Sequence, residues 1–440
     1  MHFFVQYGFM PRQYSPEKQC HIRSEVLIAG AGAAGQAAAF SLRRHGVDHV
    51  LIEGRNRPDG RIKTQTDGMF PIEHGAEFVH GSQVITHRLA AHFGKRMIRC
   101  ALPEQQYLDG RFADFHDHLP TGAHLLATLK DAALVQNIDC TAVPVSDLID
   151  VINSSIIGNR RWCKRIVAND TSGDIRRVSV AGLLENVCNG FENNYRLADG
   201  YGSLMAELRK NSPLYLNHPI EKISYDDRGV TIRTQRAKFH GRYAIITLPI
   251  GVLQSDTIEF RPQLSQEKQA AIAAIAPGEA CKMIFQFDEM VSPHLQAMTE
   301  TTLDSQLWWP SEWGLTERGR YMTALMAGNA ANRYAAMDDE DAVYEALTQL
   351  GSMFGKRFVN HAKKTSVERW HHDPFSRGSY SYIPVGVDPS VRRQLAAAEC
   401  GGVLQFGGEA TSSQPGTVHG AIESGFQAAR AIRKNSMQKA

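Results

Sequence analysis

The 440-residue sequence is short of paired cysteines, net charge and long apolar runs, and each shortage excludes a class of protein. Its seven cysteines lie far apart without a Cys-x-x-Cys pair, which argues against a disulfide framework or a zinc site. A formal charge of +2 predicts no strong field for nucleic acid or a membrane surface. No run approaches the roughly 18 apolar residues of a membrane-spanning helix. We therefore expect a globular, cytoplasmic protein without nucleic-acid or membrane partners.

The amino terminus and the short polar clusters add no targeting signal or metal site. Residues 1–10 lack a basic region and a small-residue cleavage site, so no signal peptide is expected. His116-Asp117-His118 is a single short cluster, which favours a polar loop over a metal site. The basic stretch 160–165 is interpreted as a solvated face. Asp338-Asp339-Glu340-Asp341 suits a helix amino terminus, where carboxylates interact well with the helix dipole.

The most informative local pattern is Gly30-Ala31-Gly32-Ala33-Ala34-Gly35, which lies between an apolar run and a helical segment. The predicted elements are a buried strand over 25–29, a helix over 33–45 and a strand over 50–52. A glycine fingerprint in such a βαβ unit is typical of dinucleotide binding. The alternative is a glycine-rich loop of another fold.

Each glycine of this pattern has its own predicted task. Gly30 permits the tight turn, Gly32 lets the backbone approach a pyrophosphate, and Gly35 lets the helix pack on the strand. The helix amino terminus then presents its N–H groups to the phosphates. Glu53, 18 residues after Gly35, can accept hydrogen bonds from a ribose. The Arg-rich turn that follows Glu53 indicates FAD rather than NAD.

The rest of the chain carries two further kinds of pattern. Residues 82–197 are mostly helix-like, over 84–93, 123–135 and 146–157, with a hairpin signal at Asp109-Gly110. Strand-like runs follow at 214–216, 220–225, 230–234 and 243–248, and the chain closes with a strand over 403–406 and a helix over 417–433.

Three motifs together resemble the flavin-dependent amine oxidases, which include polyamine oxidases, monoamine oxidases and lysine-specific histone demethylases. The motifs are Glu53-x-Arg55-x-Arg57-x-x-Gly60-Arg61, the stretch 75–81, and Gly408-Glu409-Ala410-Thr411 with 416–425. The resemblance covers about residues 24–434 and implies an α/β fold, in which a Rossmann-like FAD-binding domain is interleaved with an α+β substrate-binding domain. The implied division is an amino-terminal extension 1–23, an FAD-binding domain 24–81, 198–276 and 387–434, a substrate-binding domain 82–197 and 277–386, and a tail 435–440.

The resemblance also implies which residues bind FAD. Arg55 and Arg61 would neutralise the pyrophosphate or lie along the isoalloxazine, Glu409 would accept from ribityl hydroxyls, and Ile220 would contact adenine through its backbone. The helix beginning near Thr417 would point at flavin N1 and the C2 carbonyl. The full implied set is Gly30, Gly32, Ala33, Ala34, Gly35, Glu53, Gly54, Arg55, Gly60, Arg61, Gly75, Ala76, Glu77, Phe78, Ile220, Trp370, Gly408, Glu409, Thr417 and Val418.

Three residues are implied to take part in catalysis. Lys282 would hold a water against flavin N5, or else be a surface strand lysine. Tyr380 would face the substrate, with Trp370 beside the flavin, or else belong to the core. His80 would hydrogen-bond a substrate nitrogen, or else only brace its strand.

Departures from the family pattern narrow the expected activity. Ser379 stands where monoamine oxidases have a flavin-linking cysteine, and Thr417 where they have a second cage tyrosine, so the FAD is expected to be non-covalent and the substrate a polyamine rather than an aryl amine. Asp59 and Asp199 stand at usual glycine positions, which predicts a less open backbone approach to the cofactor. The stretch 75–81 lacks the arginine with which L-amino acid oxidases hold a carboxylate.

The predicted function is oxidation of an amine by FAD and oxygen. A hydride leaves the carbon next to an uncharged amine for flavin N5, the imine hydrolyses to an aldehyde, and oxygen yields hydrogen peroxide. The alternatives are a monoamine oxidase, a methyl-lysine demethylase and a non-catalytic FAD-binding protein. The demethylase ranks lower because the extra amino-terminal domain and long helical insertion of those enzymes are not seen. The sequence does not indicate an oligomeric state.

Overall fold

The computed structural model describes residues 20–66, 70–100, 104–113, 122–187, 194–287, 298–315, 320–356, 359 and 361–439. Its strands in chain order are β1 Cys20–Arg23, β2 Val26–Ala29, β3 His49–Ile52, β4 Thr64–Thr66, β5 Pro71–Glu73, β6 Val79–His80, β7 Met97–Arg99, β8 Glu104–Leu108, β9 Arg111–Phe112, β10 Asn194–Leu197, β11 Leu214–Tyr215, β12 Ile220–Asp226, β13 Gly229–Thr234, β14 Ala237–Gly241, β15 Tyr243–Ile246, β16 Glu259–Arg261, β17 Ala276–Pro277, β18 Ala280–Phe287, β19 Met298–Thr301, β20 Leu307–Pro310, β21 Tyr321–Ala327, β22 Ala362–Arg369, β23 Ser381–Tyr382 and β24 Leu404–Phe406.

The helices in chain order are α1 Ala33–Arg44, α2 Ile85–His92, α3 Gly122–Val135, α4 Val145–Val151, α5 Ser154–Ile157, α6 Arg160–Thr171, α7 Val180–Val187, α8 Gly200–Arg209, α9 Ile250–Leu253, α10 Gln266–Ala274, α11 Asn329–Ala335, α12 Asp339–Phe354, α13 Val391–Ala396 and α14 Val418–Lys439. None of those described is long and apolar enough to cross a membrane.

A five-stranded parallel sheet in the order β11-β3-β2-β15-β24 forms the dinucleotide-binding core. Every residue of β2, β3 and β15 is buried, which confirms the strands predicted from continuous apolar runs. Helix α1 ends where predicted, with Gly46 at φ +69° just beyond it. A Cβ on Gly425 of α14 would lie 2.0 Å from Ala34 O, so the small residues of α14 do permit close packing on α1.

A second five-stranded sheet, β1-β14-β13-β12-β16, shares a hydrophobic core with the parallel sheet. Its β12–β13 hairpin turns between Asp226 and Gly229. Strand β1, the last four residues of the predicted amino-terminal extension, pairs in parallel with β14.

A seven-stranded sheet, β22-β18-β21-β20-β19-β8-β9, builds the other half of the molecule. Helices α11 and α12 supply one core against it, and α3, α4, α6 and α7 form a further helical core. The predicted hairpin at Asp109 (φ +50°) and Gly110 (φ +94°) joins β8 to β9 at its edge. The interleaved α/β and α+β architecture is thus the predicted one.

The interpretation of residues 160–165 as a solvated face holds for the charged side chains but not for the whole stretch. These residues open helix α6, and Trp162 and Cys163 within them are fully buried. Helical periodicity turns these two side chains inward while the charged residues face outward, so a composition-based interpretation missed the helix. The acidic cluster at 338–341 does start a helix, with Asp338 accepting a hydrogen bond from Asp341 N–H at 2.8 Å.

The predicted domain boundaries stay a prediction. Two small sheets link segments assigned to different domains: β6-β10-β7 spans the boundaries near 81 and 197, and β17–β23 joins residue 276 to residue 381. These links bring both halves of the chain to one cavity.

Candidate active site

One cavity of about 810 Å³ opens where the two halves meet. Eighteen predicted site residues and all three motifs contribute to its lining: Gly32, Ala33, Ala34, Arg55, Gly60, Arg61, Gly75, Ala76, Glu77, Phe78, His80, Lys282, Trp370, Tyr380, Gly408, Glu409, Thr417 and Val418. Gly30, Gly35, Glu53, Gly54 and Ile220 are not among the lining residues of this cavity.

The glycine loop has the geometry that its three tasks require. Gly30 has φ +101°, and a Cβ on Gly35 would lie 2.0 Å from Gly30 O, so neither position accepts a side chain. Gly32 is different, because a Cβ there would meet only Gly60 Cα, at 4.0 Å. Its open side faces the cavity, and no side chain caps the first N–H groups of α1. An anion could therefore approach this helix end closely.

Glu53 lies behind the loop rather than in the cavity. Its two oxygens accept from Ala31 N–H at 2.9 Å and Arg55 N–H at 3.0 Å. Arg55 donates to Asp373 at 2.8 Å and lies over the Phe375 ring. The carboxylate thus fixes the loop, and its contact with a ribose stays a prediction. So does the adenine contact of Ile220, which pairs with Thr234.

The two aspartates at usual glycine positions behave differently. Asp59 has φ +79° and lines the cavity, where its Oδ1 accepts from Gln36 at 2.7 Å and Arg209 at 2.8 Å. Burial raises the pKa of Asp59, although Gln36 and Arg209 act in the opposite direction. Asp199 is exposed at φ −98°, and the following Gly200 takes the left-handed turn at φ +74°. Of the two aspartates, only Asp59 therefore lies where it can affect cofactor binding.

Arg61 and Glu409 form an ion pair in the lining of the same cavity. Arg61 Nη1 donates to Glu409 Oε1 at 3.1 Å and to Ser379 O. Burial would raise the pKa of Glu409, but Arg61 and Arg392 outweigh it and lower that pKa. Thr417 caps α14 by accepting from Gly420 N–H at 3.0 Å, so its hydroxyl supports the helix end that meets the cavity.

Lys282 is a buried cavity residue and not a surface strand lysine. Its side chain is 5% exposed, and Nζ donates to Glu77 Oε2 at 2.7 Å and Gly75 O at 3.1 Å. Glu77 Oε1 in turn meets Arg196 Nη2 at 3.3 Å and accepts from Trp309 Nε1 at 3.1 Å. Glu77, expected only as a cofactor contact, is therefore the centre of a buried charge cluster.

The other predicted catalytic side chains are held in neutral forms. His80 Nδ1 lies 2.8 Å from Asn194 Oδ1, and burial lowers the pKa of His80 despite that contact. The Tyr380 hydroxyl donates to Asn169 O, and burial together with Asp170 raises the pKa of this phenol. Trp370 lies against Gly75, where a Cβ would come 3.0 Å from its ring.

Sequence reasoning missed the acids of the inner wall. Asp170, at the end of α6, and Glu300, in β19, line the cavity from elements outside the three motifs, and these two acids are called the inner wall here. Trp162 Nε1 donates to Glu300 at 3.1 Å, and burial raises the pKa of Asp170 to about 7. Neither residue belongs to a motif, so only the fold could select them from the acidic residues of the chain.

The part of the chain that the structure describes contains no group of three or more His, Cys, Asp or Glu side chains suited to a metal. The cluster His116-Asp117-His118 lies outside the described residues.

Replacing Gly75 by alanine is expected to abolish stable flavin binding. The new Cβ would lie 2.0 Å from Arg61 O and 3.0 Å from Trp370, so either the Arg61 backbone or the cavity wall must shift. Flavin content of the purified protein, read from its visible absorbance, measures the effect. Gly94→Ala is the control for backbone strain: Gly94 has φ +63°, a left-handed conformation that alanine adopts at a cost, but its Cβ would meet no atom within 4 Å, so this variant should lose some stability and keep its flavin. A yellow Gly75→Ala protein would contradict the expectation.

Known proteins resemble this chain over most of its length. Residues 161–433 match the family model of flavin containing amine oxidoreductases, and residues 28–93 match that of an NAD(P)-binding Rossmann-like domain. Lysine-specific histone demethylase 1 homolog 1 of Arabidopsis thaliana is 26% identical over 100% of this chain but only 56% of its own length. Polyamine oxidase 4 of Oryza sativa subsp. japonica is 26% identical over 96% of this chain and 91% of its own length.

Solved structures share the fold at low identity. Cyclohexylamine oxidase from Brevibacterium oxydans IH-35A superposes with a TM-score of 0.81 at 19% identity, over 94% of this chain and 99% of its own. A wild-type putrescine oxidase bound to putrescine gives 0.79 at 16% identity, over 94% and 100% of the two chains. The chain spans little more than half the length of the demethylase and most of the length of the oxidases.

Proposed function

The chain belongs to the family of flavin-containing amine oxidoreductases, and from that premise we propose that it is an FAD-dependent oxidase of polyamine-type amines. The observation that carries the substrate proposal is the acidic inner wall, where Asp170 and Glu300 line the cavity that also contains Lys282 and Tyr380. A flexible chain with several ammonium groups is the substrate that such a wall would attract.

The cavity residues fit FAD. The amino-terminal ends of α1 and α14 both reach the lining, through Ala33 and Val418, and Arg55 and Arg61 add positive charge. The buried hydroxyl of Ser379, also in the lining, has no hydrogen-bond partner among the described residues and can serve a cofactor. A serine forms no thioether at this position, so the proposed binding is non-covalent. When bound, FAD accepts the hydride from the substrate carbon.

The chain's own groups would position the amine. Nδ1 of His80 donates a hydrogen bond to Asn194 Oδ1, so Nε2 of the neutral ring is the acceptor nitrogen. Nε2 can therefore accept a hydrogen bond from the N–H of a substrate amine. Tyr380 presents its ring beside Gly416, and an aromatic face favours an amine nitrogen. Phe78, Trp309 and Trp370 line the same space and give it apolar, aromatic walls.

The inner acids would hold the amine groups that do not react. Asp170 and Glu300 can each pair with an ammonium, while the reacting nitrogen must be uncharged when its neighbouring carbon is oxidised. This division gives the two kinds of nitrogen different environments in one cavity. Lys282 lines the cavity and uses two of its three N–H groups on Gly75 and Glu77, so one donor would be left for a water or cofactor atom.

Anaerobic mixing of the flavin-loaded protein with an amine panel tests the proposal. Spermine, spermidine and putrescine are expected to reduce the flavin and so bleach its visible absorbance. For each of them, the rate constant of reduction divided by Kd should be at least about tenfold higher than for benzylamine, a difference of ~1.4 kcal/mol. Peroxide release in air would then identify oxygen as the acceptor. Faster reduction by benzylamine would indicate a monoamine oxidase, and no reduction by any amine would indicate a non-catalytic flavoprotein.

A methyl-lysine substrate is the second candidate, because the demethylase relative aligns with the whole of this chain. A dimethyl-lysine peptide in the same panel tests it. It would replace the first proposal only if the peptide reduces the flavin faster than spermidine. The cytoplasmic location and the absence of nucleic-acid and membrane partners stay predictions.

A further inference from the structure

Three charged side chains next to the cavity make a cluster that no motif of the sequence indicated. Lys282 comes from β18, Arg196 from β10 and Glu77 from the stretch before β6, and all three side chains are at most 5% exposed. Two cations and one carboxylate leave the cluster with one net positive charge.

Hydrogen bonds fix every member of the cluster. Besides its contact with Glu77, Arg196 Nη1 donates to Ser311 O at 2.8 Å and to Trp313 O at 3.3 Å. Glu77 holds Lys282 through Oε2 and Arg196 through Oε1, so the carboxylate separates the two cations. Burial would raise the pKa of Glu77, but Lys282 and Arg196 outweigh it and lower that pKa, so Glu77 is an anion.

A charge fixed in a buried site acts strongly on a neighbour, because few water dipoles screen it. Lys282, Glu77 and Trp309 all line the cavity with Trp370, Tyr380 and Gly408. Reduction of a flavin by two electrons and one proton adds one negative charge to the ring. A net positive cluster beside the ring therefore favours the reduced form.

We propose that the Glu77–Arg196–Lys282 cluster sets the reduction potential of the bound flavin, with Glu77 as the positioning residue and Arg196 as the second cation. The inference rests on the proposed function only in that FAD occupies this cavity. It assigns Arg196, which is not among the cavity lining, an electrostatic part in the redox chemistry. It also explains why Glu77 stands just before β6, beside a cofactor that is itself an anion.

The charges predict shifts of opposite sign in two variants. Glu77→Gln removes the anion, leaves two buried cations and should raise the potential. Arg196→Met leaves Lys282 and Glu77 as a neutral pair and should lower it. We expect at least a tenfold change in the reduction equilibrium in each direction, which is about 30 mV for a two-electron couple. If the substitutions only loosened the packing of the site, the reduction potential would shift in the same direction in both variants.

The test is a spectroscopic titration of the flavin-loaded protein with xanthine, xanthine oxidase and a mediator dye of known potential. The neighbouring titratable groups are Glu73, whose pKa burial raises to about 7, and Cys100, whose pKa burial raises to about 12. All proteins are therefore compared at one fixed pH. Glu345→Gln is the matched control, because Glu345 pairs with Arg333 away from the cavity, and its potential should equal the wild-type value.

The outcomes decide the proposal separately from the substrate assignment, since the titration uses no amine. Opposite shifts support the cluster even if no amine reduces the flavin. Shifts of one sign, or potentials equal to wild type, overturn it. If Glu77→Gln does not fold, Arg196→Lys replaces it: this variant keeps the cation and should keep the wild-type potential while Arg196→Met lowers it, and an equal lowering by both variants refutes the proposal.

Discussion

Lys282→Met is expected to slow the reaction of reduced flavin with oxygen on the order of 100-fold, while anaerobic reduction by spermidine changes only a few-fold. The expected 100-fold effect follows from the loss of one fixed, charged hydrogen-bond donor in a buried site. Removing such a donor raises the activation free energy by ~3 kcal/mol in comparable cases. Oxygen gains negative charge as it accepts electrons, and the ammonium of Lys282 lies at the cavity where this charge would form. Methionine keeps the length of the side chain but supplies no charge.

The Lys282→Met protein should still fold, because Glu77 keeps its contacts with Arg196 and Trp309. Stopped-flow absorbance separates the two half-reactions. Lys222→Met is the control, since Lys222 pairs with Glu259 outside the cavity. Reoxidation of Lys282→Met at the wild-type rate would remove Lys282 from the oxygen step.

Asp170→Asn and Glu300→Gln are expected to lower kcat/KM for spermidine roughly 10- to 100-fold each, mainly through KM. A hydrogen bond to a charged group contributes about 1.5–3 kcal/mol, and each variant loses one such contact with a substrate ammonium. Benzylamine has no second ammonium, so its kcat/KM should change less than about threefold. Steady-state peroxide assays with both amines measure the difference.

The pH dependence gives Asp170 a separate signature. Burial raises its pKa to about 7, so its carboxyl is neutral below that pH and becomes an anion as the pH rises through it. KM for spermidine should therefore fall as the pH rises through about 7, and Asp170→Asn should lose this step. Asp174→Asn is the matched control, because Asp174 pairs with Arg176 and does not line this cavity. Equal losses for spermidine and benzylamine would exclude an ammonium-binding role.

Local patterns predicted the cofactor half of the molecule well. The strands β2 and β3, helix α1 and its end at Gly46 follow from short-range apolar runs and glycine positions. The turn at Asp109-Gly110 and the acidic start of α12 were equally local. The buried Trp162 was missed because burial depends on which face of α6 meets the rest of the helical core.

The motifs by themselves indicated a flavin-binding chain, because a phosphate cradle requires particular residue types at fixed spacing, while the residues that contact the flavin stay a prediction. Only the tertiary structure decided what surrounds those residues. Arg196 and Lys282 lie far apart in the chain but meet at Glu77 because β10 pairs with β6 and β18 crosses beside Gly75. Asp170 and Glu300 are also distant in the chain, and they line one cavity because the fold brings α6 and β19 together. The charge balance of the cavity and the proposed substrate selection depend on contacts between distant segments, and no local pattern encodes such contacts.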